Sequence, residues 1–141
     1  KAWGMAALRV GMAFASAEII EILNKIKAPY NMNLATQQLA LRALEKENVV
    51  KEYAATILKE RTTLISELKK FEFVKKIFPS DSNFILTRVS NADHLYKFLV
   101  SRGIVVRNRS KVPLCENCLR ITVGTPKENV ELLDALKNYR P

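Results

Sequence analysis

The residues of this sequence that could do chemistry are mostly cationic. Arg107 and Arg120 flank a loop, Asn108 to Asn117, that itself carries Arg109 and Lys111. Side chains alternate between the two faces of an extended chain. Alternation puts Leu119, Ile121 and Val123 on one face and Cys118, Arg120 and Thr122 on the other. On the preceding segment Ile104 and Val106 face the core and Arg107 does not. Two guanidinium forks projecting from neighbouring strands match a carboxylate or phosphate in bidentate geometry, so the pattern reads as an anion site. The alternative is a pair of solvated arginines on an open sheet face.

Lys1 and Arg9 form a second pair. Fully extended, eight steps of ~3.3 Å would hold them roughly 26 Å apart. The small residues Ala2, Gly4, Ala6 and Ala7 permit a turn that brings them together. A lysine kept neutral by burial or a nearby cation condenses with carbonyls, and an arginine clamps phosphate. Taken alone, the spacing does not set this pair apart from an accidental lysine and arginine. Cys115-x-x-Cys118 is half of a zinc site at best, because His94 is the only histidine and no second pair exists. A redox pair of that spacing opens a helix after a strand, whereas this one enters a strand. No metal is expected. His94 reads as an exposed polar residue, and Tyr30, Asn31 and Asn33 could line a cleft.

The elements that must position these residues follow from period and caps. Leu8 to Ala15 alternates bulky with small or charged residues and predicts a strand or extended segment. Ser16 is placed to cap a helix carrying Ile19, Ile20, Leu23 and Ile26, which should end near Lys27 ahead of Pro29. Pro29 to Asn33 reads as a loop and Leu34 to about Leu44 as a helix. Glu45 to Lys70 has the strongest helical period, about 24 residues and roughly 36 Å long, suited to a connector. Phe73–Ile77 and Asn83–Val89 then read as strands. Ser90 and Asp93 have capping-box spacing before Leu95, Phe98 and Leu99, and Gly103 sits at that helix's end. Ile104–Arg107 and Cys118–Val123 are further strands. Thr125-Pro126-Lys127-Glu128 opens a last helix with Val130, Leu133 and Leu136 inward. From Phe73 the order is β-β-α-β-β-α, an α+β layer with a mostly antiparallel sheet and helices on one face.

Composition bounds the function. The 141 residues allow one domain, or one with an appendage. Hydrophobic residues at 48% and charged residues at 26% argue against disorder. No apolar run approaches the ~18 residues of a membrane-spanning helix. Two cysteines cannot build a disulfide framework, which favours a reducing, cytoplasmic setting. The net charge of +9, from 23 Lys and Arg against 14 Asp and Glu, invites a nucleic-acid-binding module. Against that, the basic residues are dispersed among glutamates on the long helix, and few aromatics accompany them as stacking platforms.

Read together, these segments resemble a known family. Lys1-Ala2-Trp3-Gly4-Met5-Ala6-Ala7-Leu8-Arg9-Val10-Gly11 resembles the cofactor-lysine segment of class I/II aminotransferases, nearest the histidinol-phosphate aminotransferases. Pro29-Tyr30-Asn31-Met32-Asn33 resembles the family's following loop, and Ser82-Asn83-Phe84-Ile85-Leu86 its small-domain strand. Gly103-Ile104-Val105-Val106-Arg107 and Cys118 to Thr125 resemble its two arginine segments, with the family's spacing of 13 between Arg107 and Arg120.

The resemblance implies a fold-type I, pyridoxal-phosphate-dependent transferase. Residues 1–29 would be a remnant of its large domain, 30–70 connecting helices and 71–141 its small C-terminal α+β domain. Lys1 would be the Schiff-base lysine and proton shuttle, and Arg9 would grip the cofactor phosphate. Arg107 and Arg120 would bind the anionic end of the substrate, with Asn83 beside them. The implied reaction moves an amino group between histidinol phosphate and 2-oxoglutarate or glutamate, in a cytoplasmic homodimer with no nucleic-acid or membrane partner. A related aminotransferase or a phosphothreonine decarboxylase of the same fold fits the same motifs. The family's pyridine-nitrogen acid and stacking aromatic precede the lysine, so the 141-residue chain alone is expected not to transaminate.

Overall fold

The computed structural model describes residues 3–141, and Lys1 lies outside the described residues. The chain divides into two compact units, Lys1–Tyr53 and Ala54–Pro141.

The first unit holds a 3-10 turn at Ala6–Leu8, then α1 (Ala17–Ile26), α2 (Leu34–Leu44) and the start of α3 (Glu47–Leu68). The α2 boundaries are those read from its composition. Its cap is Asn33, whose side chain accepts from the Thr36 N–H at 2.8 Å. Ser16 does cap α1, but by backbone position alone, without a side-chain bond. The segment Leu8–Ala15 forms no strand. Leu8 ends the 3-10 turn, and Arg9 to Ser16 has no regular structure. A strand exists only as half of a ladder, and among the described residues this segment has no ladder partner. None of the described residues of this unit is buried. The apolar stripe of α1 stays open, with Ile19 51%, Ile22 59% and Ile26 75% exposed.

In the second unit β1 (Val74–Ile77), β2 (Phe84–Val89), β3 (Arg107–Asn108) and β4 (Cys118–Thr122) form one antiparallel sheet in the order β1-β2-β4-β3. The helices α4 (Ala92–Val100) and α5 (Pro126–Lys137) complete the unit. Ile85 and Val89 of β2 and Leu119 and Ile121 of β4 bury against Leu64 and Leu68 of α3, Leu95 and Leu99 of α4, and Leu132 and Leu136 of α5. Helices therefore cover one sheet face, as expected, and the β-β-α-β-β-α order holds. Burying one such side chain contributes on the order of 1.5–3 kcal/mol, which makes this layer the main support of the arginine strands.

Several local expectations shift. Ser90 does not cap α4, because its N–H still pairs with Phe73 O at 2.9 Å. Asn91 caps instead, accepting from the His94 N–H at 3.0 Å, and Asp93 accepts from Asn108 Nδ2. Ile104–Val106 joins no ladder, and only Arg107–Asn108 pairs with β4. Val130 is 57% exposed, and the buried stripe of α5 is Asn129, Leu132, Ala135 and Leu136. Cys118 is fully buried although its neighbours by alternation are not. No helix among the described residues is long and apolar enough to cross a membrane.

The capping box of α5 is present. The Thr125 N–H and hydroxyl both donate to Glu128 Oε2, at 2.7 and 2.8 Å, and the Glu128 N–H donates back to the Thr125 hydroxyl. The Thr125 backbone bond first, and its hydroxyl second, hold the Glu128 carboxyl below its usual 4.5. A lowered folded-state value makes this cap fully stabilising above 4.5 and removes the benefit as pH falls through the folded value. Thermal melts of Glu128→Gln and the parent chain should therefore differ at neutral pH and converge in acid.

Candidate anion-binding site

The sheet face turned away from the helices carries the sequence-predicted arginines. Cross-strand partners share a face, and Arg107 of β3 is the direct partner of Arg120 of β4. The ladder runs one step further, with the Arg109 N–H donating to Cys118 O at 2.8 Å. On the other side of β4, Leu86 of β2 pairs with Arg120 and Arg88 with Cys118. Alternation thus gathers Phe84, Leu86, Arg88, Arg107, Arg109 and Arg120 on one face.

These arginines are not equivalent. Arg88 is committed: its Nε donates to Glu116 O at 3.1 Å and its Nη2 to Leu114 O at 3.0 Å, with a Glu116 carboxylate oxygen 3.7 Å away. It straps the β3–β4 loop to β2. Arg120 lies half-buried with its guanidinium carbon 4.9 Å from the centre of the Phe84 ring. Its Nε is buried with no hydrogen-bond partner among the described residues. A buried donor left unmade costs on the order of 1–3 kcal/mol, so the Nε of Arg120 is held desolvated and unsatisfied. Arg107 is exposed and Arg109 half-buried, and no side-chain hydrogen bond or ion pair of either is found among the described residues.

The scaffold under β4 is rigid. Asn129 is buried, accepts from the Gly124 N–H at 3.0 Å, and donates to Gly124 O at 3.1 Å and to Glu60 Oε2 at 2.8 Å. It brackets the end of β4 to α3 and α5. A Cβ on Gly124 would meet Glu128 Cβ at 2.9 Å, so only glycine fits this turn. Arg61 Nη1 donates to Ser82 O at 2.8 Å and so anchors the loop entering β2. Asn83, in that loop, is exposed, and its carbonyl accepts from the Val123 N–H at 2.9 Å. Phe84, Arg88 and Asn129 are structural parts of the site that the sequence reading passed over. The period-two register of β2 with β4 was the signal for the first two.

The remaining candidates scatter. Arg9, described within the first unit, is left-handed at φ 54 and closes the 3-10 turn through its N–H to Ala6 O at 3.2 Å. Its guanidinium is exposed and has no side-chain partner among the described residues. Tyr30 is almost fully exposed, while Asn33 is used as a cap. His94 Nδ1 lies 3.0 Å from the hydroxyl of Tyr139, whose ring packs edge-on to Phe73 and Phe98. Cys115 and Cys118 are free, and no group of three or more His, Cys, Asp or Glu that could hold a metal occurs among the described residues.

Residues 1–136 match the family described as aminotransferase class I and II. The chain belongs to that family. Over 139 residues it is 54% identical to the histidinol-phosphate aminotransferase of Cytophaga hutchinsonii, covering 99% of this chain and 40% of that protein. The crystal structure of the histidinol-phosphate aminotransferase from Clostridium acetobutylicum superposes with a TM-score of 0.76 at 32% identity, over 85% of this chain and 37% of that one. The histidinol-phosphate aminotransferase of Sinorhizobium meliloti, in complex with pyridoxal-5'-phosphate, gives 0.79 at 26% identity over 96% and 38%. The chain thus spans about 40% of the length of the curated relatives it matches. This aminotransferase-family chain carries its arginine pair on a fold-type I scaffold.

Proposed function

We propose that the enzyme built on this chain is a pyridoxal-phosphate-dependent aminotransferase acting between histidinol phosphate and 2-oxoglutarate or glutamate. The observation that carries the reading is the direct cross-strand pairing of Arg107 with Arg120, with the Arg120 fork stacked on Phe84 and its Nε unsatisfied. A ping-pong transaminase must seat two different anions at one place in turn. An uncommitted arginine pair accepts either a phosphate or a carboxylate.

The residues present fit the cofactor. The exposed and uncommitted guanidinium of Arg9 suits its phosphate, and Lys1 supplies the amine. When bound, the cofactor supplies an electron sink at the carbon bearing the amino group. Lys1 takes and returns the proton at the substrate Cα. Arg107 and Arg120 hold the distal anion of the substrate. The residue boundaries 1–29, 30–70 and 71–141 carry over as large-domain, connecting and small-domain parts. The complete enzyme is read as a cytoplasmic homodimer.

The test is a coupled assay of the complete enzyme with histidinol phosphate as amino donor and 2-oxoglutarate as acceptor. Glutamate is expected to form in step with loss of the donor. Release of carbon dioxide from threonine O-3-phosphate, without amino transfer, would instead assign the same face to a decarboxylase.

A further inference from the structure

We infer that Arg109 is a specificity residue of this site: it selects the dianionic phosphate of the amino donor over the carboxylate of the acceptor. The inference rests on the function proposed above and concerns the same sheet face.

The geometry points to Arg109 by position and by elimination. It sits two residues beyond Arg107, on the same face of the same ladder, held there by its N–H bond to Cys118 O at 2.8 Å. Two residues of strand amount to about 7 Å, and the diagonal to Arg120 across the ladder is ~7–8 Å. Arginine side chains of that length converge on one small anion from such positions. Arg88 is excluded because the Leu114 and Glu116 carbonyls and the Glu116 carboxylate already occupy it. Lys111 is exposed beyond the ladder. Beyond the Arg107–Arg120 pair itself, Arg109 is the remaining arginine of this face that is without a side-chain partner among the described residues, and it is half-buried.

The chemistry of the two anions gives it a task. A carboxylate has one charge and two oxygens, which two guanidinium forks satisfy. A phosphate monoester at pH 7 carries about −1.5 to −2 and has three acceptor oxygens. Its third oxygen and second charge need a further donor. Arg109 provides that donor for the phosphate and has little to bind when a carboxylate takes its place.

The experiment compares the two half-reactions of the complete enzyme in wild type, Arg109→Gln and Arg109→Lys, with Arg120→Gln as a reference. In Arg109→Gln the ratio of kcat/KM for histidinol phosphate to kcat/KM for 2-oxoglutarate is expected to fall about tenfold or more, the usual effect of removing a charge-assisted bond. Arg109→Lys keeps the charge and should recover most of that ratio. The inhibition constant of inorganic phosphate should rise in Arg109→Gln by a similar factor, and that of acetate should not follow it. An unchanged ratio overturns the inference, whether both constants fall together or neither moves. Failure of the underlying reading shows elsewhere: wild type would not use histidinol phosphate, or Arg120→Gln would alter neither half-reaction, and the inference falls with it.

Discussion

Replacing Arg120 with glutamine in the complete enzyme is expected to lower kcat/KM for both half-reactions by about 100-fold or more, with little loss of thermal stability. Hydrogen bonds to charged groups contribute about 1.5–3 kcal/mol each, and a bidentate fork would make two, so losing both would cost on the order of 3–5 kcal/mol of substrate binding. That corresponds to roughly 150- to 4,000-fold in affinity. The folded state behaves differently. Stacking of Arg120 on Phe84 stabilises it by about 0.5–1 kcal/mol, and the unpartnered buried Nε opposes it by about 1–3 kcal/mol. The two pull in opposite directions, so the melting temperature should hold or rise by a few degrees. Arg88→Gln is the opposite case. Its donors are spent on the carbonyls of Leu114 and Glu116, so its removal should loosen the β3–β4 loop and lower the melting temperature while costing less in kcat/KM. Steady-state kinetics and thermal melts on the two variants separate a ligand-binding arginine from a strapping one. Equal losses in both assays for both variants would contradict the division.

What was legible in the sequence depended on how local its cause was. The capping box at Thr125 and the boundaries of α2 follow from residues within one helical turn, and both appear where the sequence places them. The facing of Arg107 and Arg120 follows from alternation plus pairing, and the ladder preserves it. The strand or extended segment expected at Leu8–Ala15 becomes a strand only with ladder neighbours, which the described residues do not supply, and Arg9 to Ser16 has no regular structure. On α5 Leu136 is buried and Leu133 packs partly against the core as expected, whereas Val130 is exposed and Asn129 turns inward; a buried asparagine is intelligible only with Glu60 and Gly124 around it. Arg88, Arg109 and Arg120 look alike on paper. Their separation into strap, free cation and stacked fork comes from carbonyls 26 and 28 residues beyond Arg88 and from a ring on the adjacent strand. Phe84 itself reads as core by type, and its use as a platform for a cation needs the register of β2 against β4.

Lys1→Ala in the complete enzyme is expected to lower kcat by roughly ten-thousandfold or more, a larger loss than any arginine variant gives. In the proposed reaction the arginines would act on the distal anion, and each one lost would weaken a grip that the others still provide, whereas Lys1 would act on the reacting carbon. General acid–base transfer at such a carbon contributes about 10²–10⁴-fold, and the covalent role of the same amine adds to it. Lys1→Arg should be as inactive as Lys1→Ala, because a guanidinium keeps the charge but does not give up its proton. That pair of variants separates the amine's chemistry from its charge. Small primary amines added to Lys1→Ala should restore part of the rate, more for more basic amines, and should do nothing for Arg120→Gln. Restored proton transfer with an unchanged KM for histidinol phosphate would place Lys1 at the proton and leave the anion to the arginine face. Rescue absent at every amine, in a variant that still melts like the parent, would remove Lys1 from the proton path.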